Sequence, residues 1–418
     1  MMRSLSSLRC LAPLAPVALP PTDGDVGLTT PADLSCRMRI LTRQIACGAA
    51  VACTAAAPVR AQTFHFVYPA PPPGKVIRTV DSTAPRLDVY RLAHGAPDRS
   101  PALIFFFNRG DSALDAFYED WARTAAAKGI VAITPTLRFG HAAEDFKTTL
   151  AHLGDHADRY GIDRHAIAVY AASANVFTAF PIVEDSAQTT IQAAVMLYGT
   201  SPVTHFRRDV PILYVRAGLD RPTGNGTGPA TIIGLSTLAI AQNAPMTFFN
   251  DPSGHHGFEG VDDDAATRDA IDFIVDWVKR ATSASYLAAL RHGIPEATAA
   301  AEVVTGDFSA AAAAYASLVR GRPNDARLAL AYGEALLGNH QYGEACAELA
   351  HLKNKGLGPR DLGIPAARAC AQSGDADAAI AWLQSIPSQY LPREIADDSA
   401  FTALRARADF RALFQPRS

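Results

Sequence analysis

The sequence predicts an α/β domain, with a mostly parallel central sheet and helices on both faces, followed by an all-α helical-repeat domain. Three observations carry this. Between residues 62 and 280 short apolar runs alternate with helix-length amphipathic stretches; after Arg280 the runs stop; and the alanine-rich text of 283 to 418 repeats at a 34-residue step. At 418 residues, 49% hydrophobic and 19% charged, with a formal charge of -3, the chain has material for two globular cores. Its Lys and Arg residues are scattered rather than gathered on a phosphate-binding face, so nucleic acid is not an expected partner.

The apolar runs are ALIFFFN (102 to 108), GIVAITPT (129 to 136), AIAVYAAS (166 to 173), IQAAVMLYG (191 to 199), PILYVRAG (211 to 218) and PMTFFND (245 to 251). Each is apolar at successive positions and so on both faces of a strand, as in a parallel sheet covered on both sides. Ahead of them, KVIRTVDS and PRLDVYRLA predict an antiparallel pair. DSALDAFYEDWARTAAAK, AEDFKTTLAHLGDHADRYG and ATRDAIDFIVDWVKR predict helices between the strands.

Residues 1 to 61 have another character. From Met38 the basic MRILTRQ, the small and apolar IACGAAVACTAAA and then PVRAQ match a secretory signal peptide with cleavage after Ala61. This places the expected start at Met38 and the mature chain in the periplasm or outside the cell. MMRSLSSLRCLAPLAPVALPP is a fainter rival, and its prolines break the apolar helix. The apolar run is shorter than the roughly 20 residues of a membrane span, so no transmembrane segment is expected in the mature chain. Lipid attachment at Cys53 is the weaker alternative, because Ala50 stands three positions before it.

In the helical text Gly306, His340 and Gly374 are 34 residues apart, as are Ala311, Ala345 and Ala379, and Tyr315, Leu349 and Leu383. A helix-turn-helix period of this length, with a small residue where two helices cross, resembles the tetratricopeptide repeat over residues 283 to 386. The resemblance implies a surface for a protein partner. It also implies that Cys346 and Cys370 lie on antiparallel neighbouring helices at similar height, since Gly358 is midway between them. They form either a disulfide, as an oxidising compartment permits, or two small buried apolar side chains. The remaining cysteines, Cys10, Cys36, Cys47 and Cys53, fall in the segment expected to be removed.

Ser173 closes the run AIAVYAAS and opens the helical ANVFTAFPIVE. A strand that ends on serine before a helix is a nucleophile elbow, which lifts the hydroxyl above the sheet edge. The usual flanking glycines are replaced by Ala171 and Asn175; the Asn175 amide either enters the pocket or packs away from it. Asp220 follows a later strand in VRAGLD, and His255 and His256 follow the last one in SGHHGF. The order serine, acid, base suits a triad in which histidine takes the serine proton and the carboxylate fixes its tautomer.

YAASANV, VRAGLD and SGHHGF together resemble the α/β-hydrolase superfamily, and within it the dienelactone-hydrolase-like and prolyl-oligopeptidase-like esterases, over residues 64 to 280. The resemblance implies Ser173 as nucleophile, Asp220 as acid and His256, directly before Gly-Phe, as base, with His255 as fallback. It implies oxyanion donors at the backbone N–H of Ala174 and, from the loop holding Asn108, Arg109 and Gly110, at Arg109 or nearby. The Arg109 side chain is either exposed or meets an anionic substrate. Neither cofactor nor metal is implied: the pairs His255, His256 and His152, His156 lack further ligands, and the latter pair is expected on a solvated helix face. Only a short connection separates Gly199 from Pro211, so no cap is inserted there; the loops 109 to 115, 136 to 146 and 221 to 235, or the repeats leaning over, must shape the pocket. The function implied is an exported serine hydrolase acting on carboxylic esters of small molecules, with a peptidase or thioesterase as the nearest enzyme alternative. A catalytically silent hydrolase fold binding proteins through its repeats is the alternative of another class.

Overall fold

A computed structural model describes residues 64 to 83, 86 to 220 and 229 to 415, which belong to one compact unit beginning at Ala61. The expected signal peptide, the Met38 start and Cys53 lie outside the described residues. Strands β1 (Val76–Asp81), β2 (Leu87–Leu92), β3 (Ser100–Phe106), β4 (Val131–Pro135), β5 (Ile162–Ala172), β6 (Ala193–Leu197), β7 (Ile212–Ala217) and β8 (Met246–Asp251) form one eight-stranded sheet. Its order is β1-β2-β4-β3-β5-β6-β7-β8. The β1–β2 and β2–β4 pairs are antiparallel and all later pairs parallel. This order, with helical crossovers on both faces, is the α/β-hydrolase fold.

The alternation of side chains along a strand explains the continuous apolar runs. Leu103, Phe105 and Phe107 enter one core with Trp121 and Ile274, while Ile104 and Phe106 enter the opposite core with Phe146 and Phe180. Helices α1 (Ser112–Ala127), α2 (Ala142–His156), α3 (Ala174–Glu184), α4 (Pro229–Ala241), α5 (Phe258–Val261) and α6 (Ala265–Ala281) complete this part of the chain. Asp111 caps α1 by accepting from the N–H groups of Ala113 and Leu114, and Asp264 caps α6 by accepting from that of Thr267. The second half of the expected loop 221 to 235 is helix α4 from Pro229 onward. Its sequence PATIIGLSTLAIA is apolar all round, so no amphipathic stripe announces it.

A half-buried carboxylate sits where α3 ends. The Oε2 of Glu184 accepts from the Arg207 backbone N–H, and its Oε1 has no hydrogen-bond partner among the described residues. Burial pushes its carboxyl up to about 7, against the pull of Arg207 and with the Asp209 charge nearby adding to the rise. A folded-state value above the ordinary 4.5 means that the folded chain holds this proton more tightly than the unfolded chain. The stability that this supplies is fully present below about 4.5 and is lost as pH rises through about 7. Glu184→Gln is therefore expected to raise the melting temperature at pH 8 and to change it little at pH 4.5, as read by thermal unfolding at the two pH values.

Beyond α6 the chain is helical: α7 (Ala284–Thr305), α8 (Phe308–Gly321), α9 (Ala326–Gly338), α10 (Tyr342–His351), α11 (Pro359–Gln372), α12 (Ala376–Ser385) and, after several short 3-10 turns, α13 (Ala408–Ala412). The first residues of α8, α10 and α12 are 34 positions apart, and Ala311, Ala345 and Ala379 are all fully buried in a shared core with Leu349 and Leu383. Helix α6 runs back from the site's edge of the sheet, so α7 starts at the other edge. There Arg291 donates to Gln192 Oε1 just before β6, and the Asn243 amide, ahead of β8, donates to Ala297 O. Helix α7 thus attaches at the edge of the sheet opposite the one that carries Ser173.

Candidate active site

Ser173 has φ 56 and ψ -133, an uncommon backbone state for a residue with a side chain, between the end of β5 and the start of α3. Its N–H donates to Leu197 O at 2.9 Å, and its hydroxyl does not cap α3. The hydroxyl turns instead to His256, with Oγ 2.7 Å from Nε2. His256 Nδ1 is 3.0 Å from Asp220 Oδ2, so the three side chains form one hydrogen-bonded series.

The loops that bring them together are tied to each other. At the ends of β7 and β8, Gly218 N–H donates to Asp251 O and Leu219 N–H to Gly254 O, which sets Asp220 beside the segment bearing His256. Asp251 Oδ1 accepts from the N–H groups of Ser253 and Gly254 and shapes that segment. A Cβ on Gly218 would sit 2.5 Å from Asp251 O, so only glycine fits between the two loops. His255 is turned away: its N–H and Nδ1 engage the Asp262 carboxylate at 2.7 and 2.9 Å.

The replaced elbow glycines also find an account. A Cβ on Gly199, at the end of β6, would lie 2.4 Å from Ser173 O and from Val176 Cβ. The close approach needed at this turn is thus supplied by a glycine just beyond the end of the neighbouring strand β6. Asn175, the second residue of α3, is half-buried, and beneath the elbow Tyr118 is buried in the core, its hydroxyl pushed far up by burial first and by the Glu259 charge next.

Ala174 opens α3, so its N–H belongs to the helix N-terminal amides that have no intrahelical partner and carry the positive end of the helix dipole. Arg109 departs from both side-chain expectations. Its guanidinium is only 21% exposed and is held by Asp88 Oδ2 at 2.7 Å, by Thr134 Oγ1 at 2.6 Å and by Thr134 O at 3.1 Å. The cause is Asp88 on β2, a carboxylate 1% exposed that needs cations and takes both Arg109 and Arg78. The Arg109 side chain therefore anchors its loop to the sheet. His152 likewise differs from a solvated position: it is half-buried, with Nε2 2.7 Å from the Tyr160 hydroxyl, which donates to Asp81. His156 remains exposed and stacks on it. Burial, then the neighbouring His156, lowers His152.

No motif along the chain announces the group beneath His256. Glu259, in the run HHGFEG, is fully buried and accepts from the hydroxyls of Tyr170 and Tyr198. A carboxylate set among Gly and Phe after the last strand was the available signal. Cys346 and Cys370, on α10 and α11, form a disulfide. Among the described residues no helix is long and apolar enough to cross a membrane, and no group of three or more His, Cys, Asp or Glu gathers as a metal site.

No protein-family model and no curated protein matches the chain. Solved structures resemble it in fold. One is MGS-M1, an α/β hydrolase from a Medee basin deep-sea metagenome library, at 17% identity and a TM-score of 0.41, covering 50% of this chain and 99% of that one. Another is a truncated carbohydrate esterase from gut microbiota, at 15% identity and a TM-score of 0.39, covering 50% of this chain and 99% of that one. A third is an esterase of Pyrobaculum calidifontis, at 18% identity and a TM-score of 0.39, covering 50% of this chain and 85% of that one.

Proposed function

We propose that this protein is an exported serine hydrolase that cleaves carboxylic esters through an acyl-enzyme, with Ser173 as nucleophile, His256 as base and Asp220 as its orienter. The observation that carries the proposal is the unbroken series Ser173 Oγ, His256 Nε2, His256 Nδ1 and Asp220 Oδ2, at 2.7 and 3.0 Å. Attack of Oγ on the ester carbonyl carbon passes the hydroxyl proton to Nε2, while the Nδ1–H hydrogen bond to Asp220 stabilises the imidazolium. The Ala174 N–H receives the oxyanion, and the loop at Asn108, Arg109 and Gly110 supplies the second donor from backbone, its side-chain guanidinium being committed to Asp88. His256 then protonates the departing alkoxide, and a water attacks the acyl-enzyme by the same relay.

A disulfide within the helical region supports an oxidising compartment, and so the periplasmic or secreted location. The helices of α8 to α12, read as tetratricopeptide-like repeats of a domain spanning 283 to 418, serve to recruit a protein partner. Their attachment at the edge of the sheet away from Ser173 leaves the esterase site, within a domain of residues 62 to 280 and of the dienelactone-hydrolase-like type, to small molecules. The deciding experiment is labelling of the purified protein with a fluorophosphonate probe beside Ser173→Ala. The wild type is expected to take one label and the variant none. A folded wild type that takes no label would end the enzyme reading in favour of a silent scaffold, and a labelled variant would move the nucleophile elsewhere.

A further inference from the structure

A second carboxylate lies under the proposed base. Glu259 stands three residues beyond His256 on the short helix α5 and is fully buried. Its Oε2 accepts from the Tyr198 hydroxyl at 2.7 Å and its Oε1 from the Tyr170 hydroxyl. Tyr198 ends at φ 34, an uncommon value for a residue with a side chain, and its ring meets the His256 ring edge-on with centroids 4.7 Å apart. Acid, phenol and imidazole thus form one stack that leads from the protein interior to Ser173.

The hydrogen bonds around the acid bear on its charge. Both carboxyl oxygens receive phenol protons, and a neutral carboxyl has a proton of its own to place. One buried phenol would then have to reverse and give up its hydrogen bond to the carboxyl. Burial and the Glu259 charge push Tyr170 and Tyr198 well above their ordinary range, so both stay protonated and donate. Burial moves the Glu259 carboxyl up overall, outweighing the two phenols and the neighbouring His256, which pull the other way; the two donated phenol hydrogen bonds are nevertheless those that an anion accepts. Among the described residues, Tyr170, Tyr198 and Tyr118 face Glu259, Asp220 and the Ser173 hydroxyl face His256, and Tyr214 lies near Asp220.

We propose that Glu259 is a positioning residue of this site: through Tyr198 it holds the His256 ring toward Ser173, and its negative charge favours the imidazolium formed when His256 takes the serine proton. This rests on the serine-hydrolase reading above. The test is the rate of fluorophosphonate labelling against pH for the full chain, with melting temperatures, in the wild type, Glu259→Gln and Tyr198→Phe. Removing the anion makes the imidazolium harder to form, so Glu259→Gln moves the midpoint of the acid limb to lower pH by roughly one unit and lowers the plateau rate about tenfold. Tyr198→Phe keeps the ring and moves the limb in the same direction by less. An acid limb that stays in place, or moves to higher pH, overturns the proposal whatever the melting temperatures do, because a merely structural role lowers stability without moving the limb. Should Glu259→Gln fail to fold, Tyr198→Phe decides. A wild type that takes no label at any pH overturns the hydrolase reading, and this inference with it.

Discussion

Asp220→Asn is expected to lower kcat for ester hydrolysis about 10⁴-fold, and Ser173→Ala or His256→Ala by as much or more. The asparagine is isosteric, so the tie between the loops after β7 and β8, made by backbone groups of Gly218, Leu219, Asp251 and Gly254, is kept. What changes is the proton on His256. Asp220 Oδ2, with its side chain only 4% exposed, can only accept, which places the imidazole proton on Nδ1 and leaves Nε2 free to receive from Ser173. An amide NH₂ turned to Nδ1 reverses this, and the Nε2–H then faces a hydroxyl that it cannot deprotonate. Because the three groups act as a unit, a double variant is expected to lose little beyond the worst single one. The measurement is steady-state hydrolysis of p-nitrophenyl acetate, with unfolding curves to show that the fold is intact. Activity near the wild type in Asp220→Asn would move the orienting acid elsewhere, and the adjacent His255–Asp262 pair, at 2.9 Å, would become the first place to look.

The parallel strands were legible because a strand buried on both faces has no polar alternation to blur it: Ile104 to Phe107 alternate between two cores and all four are apolar. Helix α4 was not legible, because an apolar helix with exposed Ile233 and Ile240 carries no stripe to mark its inner face. Ser173, Asp220 and His256 could be named since each stands just beyond the end of a strand, and parallel strands bring all such ends to one edge. The reach of the partners was beyond the sequence. Arg109 reads as a cation free to meet a substrate until Asp88, 21 residues earlier and on another strand, is seen to hold it. Glycine at 199 reads as a strand terminator until Ser173 O is found where its Cβ would go. In both cases the deciding contact is non-local, and a pattern along one chain segment holds no record of it.

Breaking the Cys346–Cys370 disulfide is expected to destabilise the helical region by about 3 kcal/mol, lowering its melting temperature by roughly 10 °C, while leaving ester hydrolysis at 25 °C unchanged. The bond joins α10 to α11 across a sequence separation of 24 residues, a loop long enough for its closure to remove substantial freedom from the unfolded chain. Cys370 is fully buried among Ala366, Ala369 and Leu349, so the reduced thiols stay in an apolar setting and the loss arises mainly in the unfolded state. The cores flanking the sheet draw none of their buried residues from α8 to α12. Calorimetry with and without reductant, repeated on the Cys346→Ala, Cys370→Ala double variant, should therefore show one transition moving and another standing still. If both fell together, the helical region would be bracing the sheet through α7. The bonds of Arg291 to Gln192 and of Asn243 to Ala297 are where that bracing would act, and weakening them by Arg291→Ala and Asn243→Ala should then uncouple the two transitions.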